Sequence, residues 1–212
     1  MNNNNSSKQI LLSVLGVAIL VVAVVGISFA AFSYSKTGDV SNTITTGTIT
    51  MTYTEPTNGI NLTDALPITD TAGKALKGDG KTFDFSVGAT IAGDTTINYV
   101  ISAVKDAASD LPDTGVKVYL TSTSGENETA VFEPKLVSQL DTTVDRNDAG
   151  APAGQYVLKT GTYKATGTDN YRLRMWVDSN YGQHTDGNNT TEFAAQHKYI
   201  LKVNVYGAAK AQ

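Results

Sequence analysis

The sequence predicts an all-β fold: a jelly-roll-like β-sandwich preceded by an N-terminal hydrophobic signal or transmembrane helix. Three observations carry this. Short segments alternate apolar and polar residues with period two, which sends successive side chains to opposite faces of a sheet. Turn-forming residues separate those segments, at Gly78-Asp79-Gly80, Gly93-Asp94, Asp113-Thr114-Gly115 and Gly125-Glu126-Asn127. One long apolar run stands ahead of them all. The expected organisation is a signal peptide or membrane helix over residues 1–30, a short segment over 31–40, and a sandwich domain over 41–212.

The N-terminal run comes first. Residues 10–32 are apolar almost throughout, long enough at about 23 positions to cross a bilayer, with Lys8 as the one preceding charge. Two readings follow. Ser28-Phe29-Ala30 is a small-x-small site of the kind a signal peptidase cuts, which would leave Ala31 at the new N-terminus. Alternatively the helix is retained, as in pilin-like subunits. Either way the chain is expected to be exported to the cell surface or beyond, meeting the membrane and a signal peptidase on the way.

Beyond Ala31, residues 31–36 alternate, with Phe32 and Tyr34 on one side and Ser33 and Ser35 on the other. Gly38-Asp39 separates this segment from the alternation of residues 43–53 around Gly47. In residues 82–87, Phe83, Phe85 and Val87 share a face, and in 96–104 so do Ile97, Tyr99, Ile101 and Ala103. Residues 115–123 align Val116, Val118 and Leu120. Residues 171–177 align Tyr171, Leu173, Met175 and Val177, which leaves Trp176 on the other face with Arg172 and Arg174 as a half-exposed packing residue. Residues 198–206 align Tyr199, Leu201, Val203 and Val205. Weaker strand signals cover 130–137 and 155–164, the latter read as a hairpin turning at Thr160-Gly161. Helix is expected only as a turn or two at 103–111 and 191–197, with 69–76 ambiguous. Residues 141–154 and 178–191 read as polar surface loops.

Composition excludes several function classes. There is no cysteine, so no disulfide, thiolate zinc site or thiol nucleophile. The net charge is −4 and no basic patch is interleaved with aromatics, so nucleic acid is not an expected partner. No Gly-x-Ser-x-Gly elbow and no phosphate-binding glycine loop occurs. His184 and His197 lack the i, i+4 spacing of a zinc peptidase and read as surface residues. Asp145, Asn147 and Gly150 fall at positions 1, 3 and 6 of a calcium loop. Ala149 and Tyr156 then stand where ligands are needed, so Asp and Asn here are read as serving turns; calcium is a weak candidate cofactor and no other is expected.

One stretch carries a family resemblance. Ala30-Ala31-Phe32-Ser33-Tyr34-Ser35 followed by Asn42-Thr43-Ile44-Thr45-Thr46-Gly47-Thr48-Ile49 resembles the start of the TasA/camelysin family of biofilm-matrix proteins. Asn42, Thr43, Gly47 and Thr48 match directly, with Ile44 in place of an aromatic residue. Residues 81–104, a Phe-x-Phe-x-Val strand before an Ile-x-Tyr-x-Ile strand, add a vaguer likeness. The resemblance implies a jelly-roll subunit released by cleavage at Ala30 and Ala31, which polymerises as its new N-terminus completes the sheet of another copy. Phe32 and Tyr34 would anchor that donor strand and Gly38 would be its hinge. The expected function is therefore a non-enzymatic structural subunit of an extracellular fibre or biofilm matrix, with copies of itself as partner. The alternatives are a pilin-like subunit keeping its helix, or a metal-dependent cell-surface peptidase of camelysin type.

Overall fold

The computed structural model describes residues 33–37, 42–46, 49–56, 59–60, 62, 65–92, 95–144, 147–181 and 197–211. The chain divides into two compact units, Met1–Ser33 and Tyr34–Gln212, and the second is the unit described here. It is almost wholly β. The strands are β1 (Ser33–Thr37), β2 (Asn42–Thr46), β3 (Ile49–Thr54), β4 (Thr82–Thr90), β5 (Thr95–Lys105), β6 (Val116–Ser124), β7 (Asn127–Leu136), β8 (Tyr156–Tyr163), β9 (Gly167–Val177) and β10 (Leu201–Ala211). A five-residue helix, α1 (Asp70–Lys74), and one 3₁₀ turn (Val137–Gln139) complete the described elements.

The strands form two antiparallel sheets, one of order β1-β10-β5-β8 and one of order β2-β3-β4-β9-β6-β7. Their pairing is nested. β6 pairs with β7, β5 with β8, β4 with β9, and β1 with β10, as if one long hairpin had been rolled up, while β2 and β3 add a hairpin at the edge beside β4. The sheets meet face to face: the hydroxyls of Tyr99 in β5 and Tyr171 in β9 lie 3.2 Å apart, and Tyr163 in β8 donates to the carbonyl of Val87 in β4 at 2.8 Å.

Period two explains the core. Ile97, Tyr99, Ile101 and Ala103 are buried together, as are Val116, Val118 and Leu120, and Tyr171, Leu173, Met175 and Val177. Several expectations need correction. Residues 43–53 form two strands, β2 and β3, rather than one. Residues 156–163 form one continuous strand, with no turn at Gly161. Gly161 sits opposite Tyr99, and a Cβ there would fall 2.6 Å from the tyrosine ring, so the glycine makes room for an aromatic neighbour and does not bend the chain. Residues 103–105 stay in β5, and the following segment turns without forming a helix.

Trp176 is also corrected: it is 1 % exposed, because residues 65–77 cross over it and Gly73 of α1 rests against the indole. Residues 141–154 likewise do more than loop through solvent. Thr143, Ala149 and Ala151 are buried, and the two alanines pack with Val100, Val157 and Tyr206 on the outer face of the four-stranded sheet.

Candidate functional site

A sheet edge is a row of unpaired N–H and C=O groups, and each edge here is treated differently. The β7 edge carries Pro134 with Glu133 and Lys135 beside it, and its ladder to β6 shifts register twice, so a further strand would meet a missing donor, charge and a distorted line. At β8, Val157 N–H donates to the carbonyl of Asp141 at 2.7 Å and Thr143 N–H to that of Gln155, which covers its first residues.

β10, which lies one strand in from the other end of its sheet, is different. On one side β10 pairs with β5 at eleven consecutive positions, from Leu201 to Ala211. Both of its faces are closed: Val203 and Val205 are buried towards the core, and Asn204 and Tyr206 are buried on the outer face. Backbone groups of a strand shielded on both faces need a partner in the sheet plane, since a buried unpaired amide costs about 1–3 kcal/mol. That partner is β1, the first described strand, drawn from more than 160 residues earlier in the chain.

Of the residues expected at the cut and in the donor segment, Tyr34 falls within β1. Ala30, Ala31, Phe32 and Gly38 lie outside the described residues, as do His184 and Asp145. His197 is half-exposed, and its Nδ1 lies 3.3 Å from Asp110 Oδ2. Asn147 gives both ends of its amide to the backbone: Nδ2 donates to the carbonyls of Val144 and Ala151, and Oδ1 accepts from the N–H groups of Ala149 and Ala151. The side chain is thus spent on holding its turn. Among the described residues no three His, Asp or Glu side chains converge as metal ligands.

Three polar clusters fasten the strands, and the sequence did not nominate them. Glu128 of β7 accepts from Arg174 at 2.8 and 3.0 Å and from Arg172 at 2.6 Å, while Arg172 also reaches Asp84 of β4. The Arg174 guanidinium, helped by Arg172, holds the Glu128 carboxyl down at about 2 against the opposing pull of burial. Asp113 accepts from the hydroxyls of Tyr156 and Tyr199, and Lys105 Nζ stands 3.2 Å away. Burial, reinforced by Asp113, pushes the Tyr156 hydroxyl up to about 12 and raises that of Tyr199 as well. In the third cluster, the Tyr163 hydroxyl lies 2.8 Å from Asp169 Oδ2 as well as from the Val87 carbonyl, so the two oxygens share its one proton, and its ring stacks on Tyr99 with centroids 4.9 Å apart. Each cluster joins neighbouring strands or the two sheets, and each carboxylate is already satisfied by its partners. These are braces, with no activated nucleophile or general base among them. A groove of about 440 Å³ also lies between the 142–149 loop and the β5–β8 outer face.

The chain matches no family model, no curated protein and no solved structure.

Proposed function

We propose that this chain is a secreted structural subunit of an extracellular fibre or biofilm matrix, akin to the TasA/camelysin group, which polymerises by donor-strand exchange of its mature N-terminus. The observation that supports it most directly is the place of β1. A segment close behind the small-x-small site at Ala30 fills the edge of β10, a strand whose buried faces demand an in-plane partner. The nested pairing β6–β7, β5–β8, β4–β9 and β1–β10 supports a jelly roll in which β1 is the first strand of the roll and β2–β3 an addition.

Exchange needs no new chemistry. A strand donated by a neighbour makes the same main-chain hydrogen bonds that β1 makes within its own chain. Closed monomer and open chain of subunits therefore differ little in contact energy, and concentration together with the joint at Gly38 decides between them. Transfer of the same segment from copy to copy is head-to-tail, and it builds a filament when the rotation between copies does not close into a ring.

The test is the assembly state of the exported protein. Material beginning at Ala31 should form fibres visible by electron microscopy. Removal of residues 31–37 should leave soluble monomers, and a peptide of those residues should bind the shortened domain and raise its melting temperature. Fibres from the shortened domain would sink the strand-donor reading.

A further inference from the structure

The outer face of the six-stranded sheet presents three cross-strand pairs in a row: Lys117 beside Trp176, Tyr119 beside Arg174, and Thr121 beside Arg172. Residues 65–77 cross this face as a strap. From the way it is attached we infer that the strap is a separately opening unit, which lifts off Trp176 while both sheets stay folded.

The strap brings almost nothing to the core. Of residues 65–77 only Gly73 is buried, and Leu66 is 73 % exposed. Its one regular element, α1, has five residues, far fewer than an isolated helix needs to persist in water. Polar contacts hold it. Ile68 N–H donates to the Val177 carbonyl at 3.1 Å, Arg174 Nε donates to the Leu76 carbonyl at 2.8 Å, Lys117 Nζ donates to Asp70 at 2.9 Å, and Lys74 pairs with Glu133. Both strap carboxylate and strap lysine are partly in water, and Glu133 is 67 % exposed. Ion pairs of that kind are weak and screened by salt.

What the strap does is shield the indole, and it does so imperfectly. Among the described residues Trp176 Nε1 meets no hydrogen-bond acceptor. Lifting the strap exposes apolar ring surface, which is unfavourable, but hydrates that buried N–H, which offsets part of the loss. Beneath it, Val116, Val118, Leu120, Leu173 and Met175 remain sealed between the sheets and hold β6 to β9 without help. Opening would uncover Trp176 next to Arg174 and Tyr119, converting a closed face into an accessible aromatic one.

Trp176 is the single tryptophan, so all tryptophan emission comes from the site beneath the strap, and circular dichroism separates strap opening from loss of the sheets. In the exported protein, raising sodium chloride should shift the emission to the red and increase acrylamide quenching while the far-ultraviolet circular dichroism holds. Gly73→Ala places a Cβ 2.4 Å from the indole and should produce the same change at low salt. In the unaltered protein, the amides of Ile68 and Gly73 should exchange with solvent at least about tenfold faster than those of β6 and β9. Equal exchange in strap and strands overturns the inference. So does a Gly73→Ala protein that keeps buried tryptophan emission, or one that loses its sheets as the emission shifts.

Discussion

Among the described residues each sheet buries one large aromatic residue on its outward face, Tyr206 on the four-stranded sheet and Trp176 on the six-stranded one, and the two covers are built differently. Residues 141–155 bring Ala149 and Ala151 into contact with Tyr206 and Val100, the turn is fastened by the four hydrogen bonds of Asn147, and Gln155 Nε2 donates to the Tyr206 hydroxyl at 2.9 Å. Residues 65–77 bring a glycine and two ion pairs whose strap partners, Asp70 and Lys74, are partly in water, and among the described residues the polar atom of Trp176 has no acceptor. A cover that contributes apolar side chains and satisfies the polar groups beneath it is an extension of the core. One that only shields is a local layer with its own, smaller stability.

The largest effect expected on either face comes from Glu128, which braces the six-stranded sheet below the strap. Glu128→Gln leaves the guanidinium of Arg174, 1 % exposed, without its counter-charge, and should cost about 3–5 kcal/mol, read as a fall in the main thermal transition. The pH dependence follows from the same contact. Because folding lowers the Glu128 pKa from 4.5 to about 2, the stability it confers is fully present above about 4.5 and is lost as the pH falls towards 2. The unaltered protein should therefore lose melting temperature across that window, and Glu128→Gln should be flatter there.

Next comes the fastening of the other cover. Asn147→Ala removes four hydrogen bonds at once and releases a loop that carries buried alanines; about 2–3 kcal/mol of destabilisation is expected from chemical denaturation. A cost below about 0.5 kcal/mol would place residues 141–155 in the same optional class as the strap and erase the contrast.

How much of this was legible beforehand depended on whether a signal was local. The inward faces of β4, β5, β6, β9 and β10 were readable because one buried face forces period two on residues such as Ile97, Tyr99 and Ile101. Gly161 misled, since a glycine opposite an aromatic and a glycine in a turn look alike until the partner strand is known. Trp176 and the 141–154 loop misled for a related reason: alternation says which face a residue is on, but not what later crosses that face. Of the edge site, the alternation of residues 31–36 was readable from local sequence, whereas the placement of β1 beside β10 is set by strand order and leaves no local trace. The Glu128, Asp113 and Asp169 braces likewise join residues far apart in sequence.

The smallest effects make the sharpest comparison, because they delete one polar group under each cover. Tyr206→Phe removes the acceptor of Gln155 Nε2 and leaves a shielded donor unpaired, so about 1–2 kcal/mol should be lost. Trp176→Phe also removes an indole N–H, but one that has no acceptor to lose among the described residues, and the strap can settle into the vacated space. Its cost should stay within about 1 kcal/mol despite the larger change in volume. Measured side by side, a costlier Trp176→Phe would mean that the strap packs on its indole as tightly as the 141–155 cover packs on Tyr206. The reverse order would locate the difference between the covers in polar satisfaction, since the substitution that removes more apolar surface would be the one that costs less.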